Sequence, residues 1–317
     1  MFHHDPVNTV ELRRLLERPV PGVSEQISPA EKMNASNKPY YFWVGQSAVQ
    51  LLRLALTMAN KDEATVKHIL DMPCGHGRVL RAIRAQFPNA HLTACDLLKD
   101  GVDFCAATFD AAPVYSQKNP AATMFPGAGK YDLIFVGSLF THFDKPRWTE
   151  FLQLFNDLLA PGGLLLFTCH GPFVAYRMEC GFNYGYTQAL FGNDSWFARR
   201  LRPLRAIRRF LLRQRRPADS TAEPRAIKDS RKELDPKGPI QSLLRRYRQK
   251  DFGYVDDNRG FGISLSKPSW VLRQFEAFPD LRVVYYLERG WVAHQDAVAI
   301  VKRPFVSAAT DRASTSR

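Results

Sequence analysis

The chain has 317 residues, 45% of them hydrophobic, enough for one large core with or without an insertion. It has no run of about 18 apolar residues and no basic-then-apolar N-terminal stretch, so a soluble cytoplasmic protein without a transmembrane helix or secretory signal is expected. Cys74, Cys95, Cys105, Cys169 and Cys180 form no C-x-x-C pair, which argues for reduced thiols and against a disulfide framework or metal site. The net charge of +13 is local: Ala198 to Lys250 holds 18 basic and 5 acidic residues, while the remainder balances 26 against 26.

Residues 1–38 read as a leader packed loosely on the domain, with scattered prolines and a short helix from Val10 to Arg18. Val44, Ala48, Leu51, Leu52 and Ala55 place a helix over Tyr40–Ala59. A regular alternation follows: strand Val66–Met72, helix Arg78–Phe87, strand Ala90–Cys95, helix Gly101–Phe109, and a short strand Ala112–Ser116. A Pro/Gly-rich loop leads to strand Leu133–Val136, amphipathic helix Pro146–Leu159 and, after Pro161-Gly162-Gly163, strand Leu164–Thr168. Strands apolar on both faces and linked by helices predict a parallel sheet covered on both sides. The alternation breaks between Gly171 and Leu265. It resumes with a helix capped at Ser266-Lys267-Pro268 and running to Phe278, then strands Leu281–Leu287 and Ala297–Lys302. The gap between these strands is too short for a crossover helix, so the pair should be antiparallel. The Ser/Thr/Ala-rich tail, 305–317, is expected to be disordered.

The chemistry concentrates in Leu70-Asp71-Met72-Pro73-Cys74-Gly75-His76-Gly77-Arg78, where a strand ends at an acid, a glycine turn follows and a helix begins. This arrangement presents backbone N–H groups and a helix N-terminus to a nucleotide-like ligand. A dinucleotide turn wants a small residue where Leu80 stands, and Asp71 would repel a pyrophosphate. A cationic, phosphate-free ligand such as S-adenosylmethionine fits both features, and an NAD-dependent oxidoreductase is disfavoured.

A parallel sheet closed by an antiparallel hairpin resembles the class I S-adenosylmethionine-dependent methyltransferases. The resemblance spans about Tyr40 to Lys302 and rests on Asp71–Gly77, Asp96-Leu97, Tyr131-Asp132-Leu133-Ile134 and Leu159-Ala160-Pro161-Gly162-Gly163. The segments Gly137–His142 and Trp291–Asp296 look like a bacterial subgroup acting on small molecules, lipids or glycans. It implies an α/β, Rossmann-like seven-stranded sheet, mostly parallel with an antiparallel last strand. The implied organisation is a core at 39–170, an aromatic and basic lid insertion at 171–265, and completion of the sheet at 266–304. The implied cofactor residues are Asp71 near the methionine ammonium, Pro73, Gly75 and Gly77 at the turn, and Asp96 on the ribose hydroxyls with Leu97 beside it. The loop after strand three offers Gln117 and Asn119 for adenine, and Ser138 follows strand four.

His142 and His170 follow strands four and five, where the ligand crevice of such a sheet lies, and either is a candidate general base or a packing and capping residue. His294 and Asp296 are further candidates for the base, or strand-edge hydrogen-bonding residues. The insertion opens with aromatics from Phe173 to Phe197, suiting an acceptor pocket or a small satellite core. Arg199–Arg213 reads as a basic amphipathic helix that packs on the domain, lies on an anionic membrane surface or tracks RNA phosphates. Residues 217–240 read as a connector, and Arg245-Arg246-Tyr247-Arg248 is a second basic cluster. The function expected is O-methylation of a small-molecule, glycan or lipid-linked acceptor. The alternatives are an RNA methyltransferase, against which no N-P-P-Y/F tetrapeptide follows strand four, and a non-catalytic cofactor-binding protein.

Overall fold

The computed structural model describes residues 9–34, 38–181, 238–256 and 262–304. The expected tail, the Arg199–Arg213 helix, the aromatics from Phe182 to Phe197 and most of the connector lie outside them. Two helices, α1 (Thr9–Glu17) and α2 (Lys38–Met58), precede the sheet. Then follow β1 (His68–Asp71), α3 (Leu80–Gln86), β2 (His91–Asp96), α4 (Lys99–Phe109), β3 (Ala111–Tyr115) and β4 (Tyr131–Val136). The chain continues through α5 (Lys145–Leu158), β5 (Leu159–Cys169) and α6 (Pro172–Glu179). After the undescribed stretch come α7 (Pro239–Lys250), β6 (Phe252–Val255), β7 (Ile263–Ser266), α8 (Pro268–Gln274), β8 (Leu281–Trp291) and β9 (Gln295–Lys302).

Seven strands form one sheet in the order β3-β2-β1-β4-β5-β9-β8. The first five are parallel; β9 pairs antiparallel with both β5 and β8. This is the architecture the alternation implies. Because side chains alternate along a strand, each central strand serves two cores. Leu133 and Phe135 of β4, Leu164 and Leu166 of β5, and Ala297 and Ala299 of β9 face the core under α2, α3 and α4. Ile134, Leu165, Phe167, Val298 and Ile300 face the opposite core, built on Trp148, Phe151 and Phe155 of α5 with Trp270 and Phe275. Each fully buried large apolar side chain contributes roughly 1.5–3 kcal/mol.

Two features differ from the sequence expectation. Pro161-Gly162-Gly163 is not a turn ahead of the strand but a bulge inside β5, where pairing with β4 jumps from Tyr131↔Leu159 to Leu133↔Leu164. Gly162 turns there at φ +78°, and a Cβ on Gly163 would sit 2.5 Å from the Tyr131 carbonyl oxygen. The second is the β6–β7 hairpin inside the span read as non-sheet. Its strands are four residues each, too short for an alternation signal. Together with α6 and α7 it encloses a third core of Val174, Met178, Leu243, Leu244 and Leu265.

The leader is tied to the domain by two buried arginines. Arg53 donates to the carbonyls of Leu15 and Arg18, and Arg81 to those of Ser24 and Gln26. Among the described residues no helix is long and apolar enough to cross a membrane, and no cluster of three His, Cys, Asp or Glu could hold a metal ion.

Candidate active site

In open α/β sheets ligands bind beyond the carboxyl ends of the strands, here those of β1, β2, β4 and β5, where the turn after β1 stands. Gly75 (φ +50°) and Gly77 (φ +75°) both adopt left-handed backbone, which favours glycine. Their surroundings differ. A Cβ at Gly75 would meet no protein atom within 4 Å, leaving open space on that side. A Cβ at Gly77 would collide with the Phe109 ring at 2.2 Å, so packing against α4, rather than ligand approach, excludes a side chain there. Asp96 locks the turn: its Oδ2 accepts from the Gly75 amide at 2.8 Å and its Oδ1 from the Leu98 amide at 3.0 Å. A carboxylate offers about four lone-pair sites, so acceptor capacity remains for further donors.

Asp71 is the electrostatic anomaly. It is 1% exposed, and neither carboxylate oxygen has a hydrogen-bond partner. Burial, and secondarily the charge of Asp96, push its carboxyl well above the usual carboxylate range. A buried unpaired carboxylate is costly until a cation or donor meets it. Arg78, just beyond the turn, has a buried Nε without a partner, and its guanidinium lies 5.5 Å and 5.7 Å from the Tyr40 and Tyr41 ring centres. One acid without a partner and one guanidinium with a partnerless Nε thus flank the same turn, which suits a ligand carrying both an ammonium and a carboxylate. The donor set fits S-adenosylmethionine on that ground.

The remaining expected cofactor residues are placed as follows. Pro73 is half-buried in the turn. Leu97 and Leu98, 52% and 53% exposed, give the crevice apolar surface beside Asp96. Gln117 and Asn119 are exposed on the loop after β3. Ser138 stands directly after β4 at φ +60°. Its strained backbone is held by a network sequence reasoning missed: its amide donates to Thr168 Oγ1 (2.8 Å), its Oγ receives Gln295 Nε2 (2.8 Å), and Thr168 Oγ1 donates to Gln295 Oε1 (2.6 Å). Gly101 was also missed: a Cβ there would sit 2.4 Å from the Gly75 carbonyl, so α4 presses on the turn itself. Its signal is absent from the turn motif because it comes from the next helix.

The three histidines named from sequence converge. His170 is buried, and its pKa falls to about 3, mainly from burial, with further repulsion from His142 and His294. His142 is half-buried, and its Nδ1 lies 2.7 Å from the Gly262 carbonyl. A carbonyl can only accept, so Nδ1 carries the proton and Nε2 is the acceptor of the neutral ring. His294 Nδ1 meets the Val292 carbonyl at 3.0 Å. Asp296 is fully buried; its Oδ2 accepts from the Tyr286 hydroxyl at 2.6 Å and its Oδ1 from the Arg289 amide at 2.9 Å. Burial lifts its pKa to about 6 against these two bonds.

Residues 69–163 match the family model described as a methyltransferase domain. Among curated relatives, the chain is 32% identical over 126 residues to a malonyl-[acyl-carrier protein] O-methyltransferase of Halalkalibacterium halodurans, covering 38% of this chain and 45% of that protein. It is 28% identical over 122 residues to a fatty-acid O-methyltransferase of Mycolicibacterium smegmatis, covering 38% and 43%. It is 27% identical over 141 residues to a tRNA N(3)-methylcytidine methyltransferase of Schizosaccharomyces pombe, covering 41% and 43%. The chain thus spans less than half the length of these relatives. The glycine turn and strands β2 to β4 fall within residues 69–163, so the candidate site lies in the stretch of chain that is similar to a methyltransferase domain.

Proposed function

We propose that this protein transfers a methyl group from S-adenosylmethionine to an oxygen of a small-molecule or lipid-linked acceptor. Asp71 carries the reading: a buried carboxylate with two orphaned oxygens at a left-handed glycine turn calls for a cationic ligand. Two relatives, named for methylating malonyl-[acyl-carrier protein] and fatty acid on oxygen, support an oxygen acceptor.

When bound, the cofactor supplies a methyl group already activated on a sulfonium. The chain's own residues orient and exclude water. Asp71 would hold the ammonium and Arg78 the carboxylate of the methionine portion. The free lone pairs of Asp96 take the ribose hydroxyls, Leu97 gives apolar surface, and Gln117 and Asn119 lie where adenine would be read. Alignment of this kind contributes roughly 7–11 kcal/mol. For a hydroxyl acceptor His142 takes the proton on Nε2, a contribution on the order of 10²–10⁴ in rate. His170, held neutral by burial, shapes the wall behind it.

A second reading, RNA methylation, is favoured by the tRNA-modifying relative and by the basic face of α7. Tritiated-methyl transfer over cell extract, split into lipid, polysaccharide, RNA and small-molecule pools, separates the two. Label in the lipid or small-molecule pool, lost in Asp71→Asn, is expected. Label confined to RNA overturns the oxygen-acceptor reading, and no label in any pool from a protein that binds S-adenosylhomocysteine leaves cofactor binding without catalysis.

A further inference from the structure

A second concavity lies beside His142. Lys145, at the start of α5, and Arg246 and Lys250, one turn apart on α7, line a cleft of about 480 Å³ with Phe252 and Tyr254 of β6. The cleft adjoins the histidine wall: the Tyr254 ring packs against Gly262, where a Cβ would sit 2.1 Å from it, and the Gly262 carbonyl accepts from His142 Nδ1.

Its charge is compensated only in part, by the Asp144 carboxylate that shares the lining. Arg246 and Lys250 are like charges at i and i+4, an arrangement that costs a helix stability unless something offsets it. The neighbouring acids are engaged elsewhere: Glu179 pairs with Arg248 at 2.6 Å, and Asp251 with Lys267 at 2.6 Å and Arg273 at 3.0 Å. Asp144, which also lines the cleft, caps α5 by accepting from the Arg147 amide at 3.1 Å. Among the described residues no acid forms an ion pair with Lys145, Arg246 or Lys250. The Lys145 ammonium lies 5.8 Å from the centre of the Phe252 ring, and Arg246 donates to the Tyr254 carbonyl at 2.9 Å, so two of the three cations are held toward the aromatic wall.

Three cations from two elements, converging on a concave aromatic floor, suit a compact anion better than a flat membrane or a long duplex. We infer that this cleft binds a phosphate group carried by the acceptor, holding it while the reactive end reaches His142. The inference rests on the methyltransferase reading for its purpose, but its binding test stands apart from it.

The test is titration of the full chain with inorganic pyrophosphate by calorimetry, for wild type and for Lys145→Gln/Arg246→Gln/Lys250→Gln. A charge-matched control, Arg14→Gln/Lys130→Gln/Arg282→Gln, alters exposed cations outside the cleft. S-adenosylhomocysteine affinity is measured in each sample, and retention on phosphatidylglycerol vesicles in parallel. Saturable pyrophosphate binding that weakens roughly tenfold or more in the cleft variant, but not in the control, is expected. Unchanged S-adenosylhomocysteine affinity in the cleft variant then shows an intact fold. Equal pyrophosphate affinity in all three proteins, or none in wild type, overturns the inference, and vesicle retention without pyrophosphate binding replaces it with a membrane contact. Wild type failing to bind S-adenosylhomocysteine sinks the methyltransferase reading instead, whatever pyrophosphate does.

Discussion

The Oδ2 of Asp96 accepts the Gly75 amide at 2.8 Å, joining the end of β2 to the glycine turn after β1. The acid proposed to read the ligand therefore also fixes the loop on which that ligand would rest. Its neighbour Asp71 has no such duty, and the two carboxylates separate into a structural and a free one.

That separation gives a paired outcome for Asp71→Asn. Because burial raises the Asp71 pKa in the folded state, its ionisation costs stability progressively as pH rises from the unfolded value towards the folded one. Removing the charge should raise the melting temperature of the ligand-free protein by about 2–4 °C. The same change should weaken S-adenosylhomocysteine binding by about ten- to a hundredfold. Thermal scans with and without ligand check both. A ligand-free protein that melts lower would remove the argument.

Gly101→Ala drives a methyl group onto the Gly75 carbonyl, 2.4 Å away on ideal geometry. Backbone must shift, at about 1–3 kcal/mol, and the shift falls on the cofactor turn. Denaturant melts should show that loss, with S-adenosylhomocysteine affinity falling alongside it. Affinity unchanged in a destabilised protein would detach α4 from the turn.

His170 carries a pH signature. Its folded pKa, about 3, lies below the ordinary histidine value, so the unfolded chain takes up the proton first. The stability due to the neutral ring is complete above about pH 6.5 and lost as pH falls toward 3. Denaturant melts of wild type and His170→Gln between pH 4.5 and 7.5 should differ with a slope approaching about 1.4 kcal/mol per pH unit below pH 6. Parallel curves would show that His170 takes up its proton in the folded protein as readily as in the unfolded one.

His142→Gln distinguishes acceptor classes. With a hydroxyl acceptor kcat should fall on the order of 10²–10⁴-fold while S-adenosylhomocysteine still binds. A carboxylate acceptor is already ionised near neutrality and needs no base, so its turnover should change little. Steady-state rates on the labelled acceptor decide. A loss of cofactor affinity in this variant would mean that His142 serves the turn rather than the acceptor.

Much of this was legible from residues alone. The parallel core follows from apolar runs such as Leu133–Val136, which face two cores at once, and the antiparallel end follows from a connection too short for a helix. Asp71 and Asp96 declare themselves by standing at strand ends. What sequence could not show is contact between distant segments. Gly101 under Gly75 and the Ser138–Thr168–Gln295 network have no local period, because their partners lie 26 to 157 residues away. The β6–β7 hairpin escaped for another reason: four-residue strands carry too little pattern.

The position of β9 sets an order of events during synthesis. It is the last of the described strands, yet it lies between β5 and β8, and Gln295 at its start secures Ser138, two residues beyond β4. Until residue 302 has left the ribosome, β5 exposes an unpaired edge and the crevice lacks one wall. The early glycine turn can form locally, but a chain cut short before β9 is left with that open edge and no latch on Ser138. Premature termination would therefore release an aggregation-prone fragment rather than a smaller working domain.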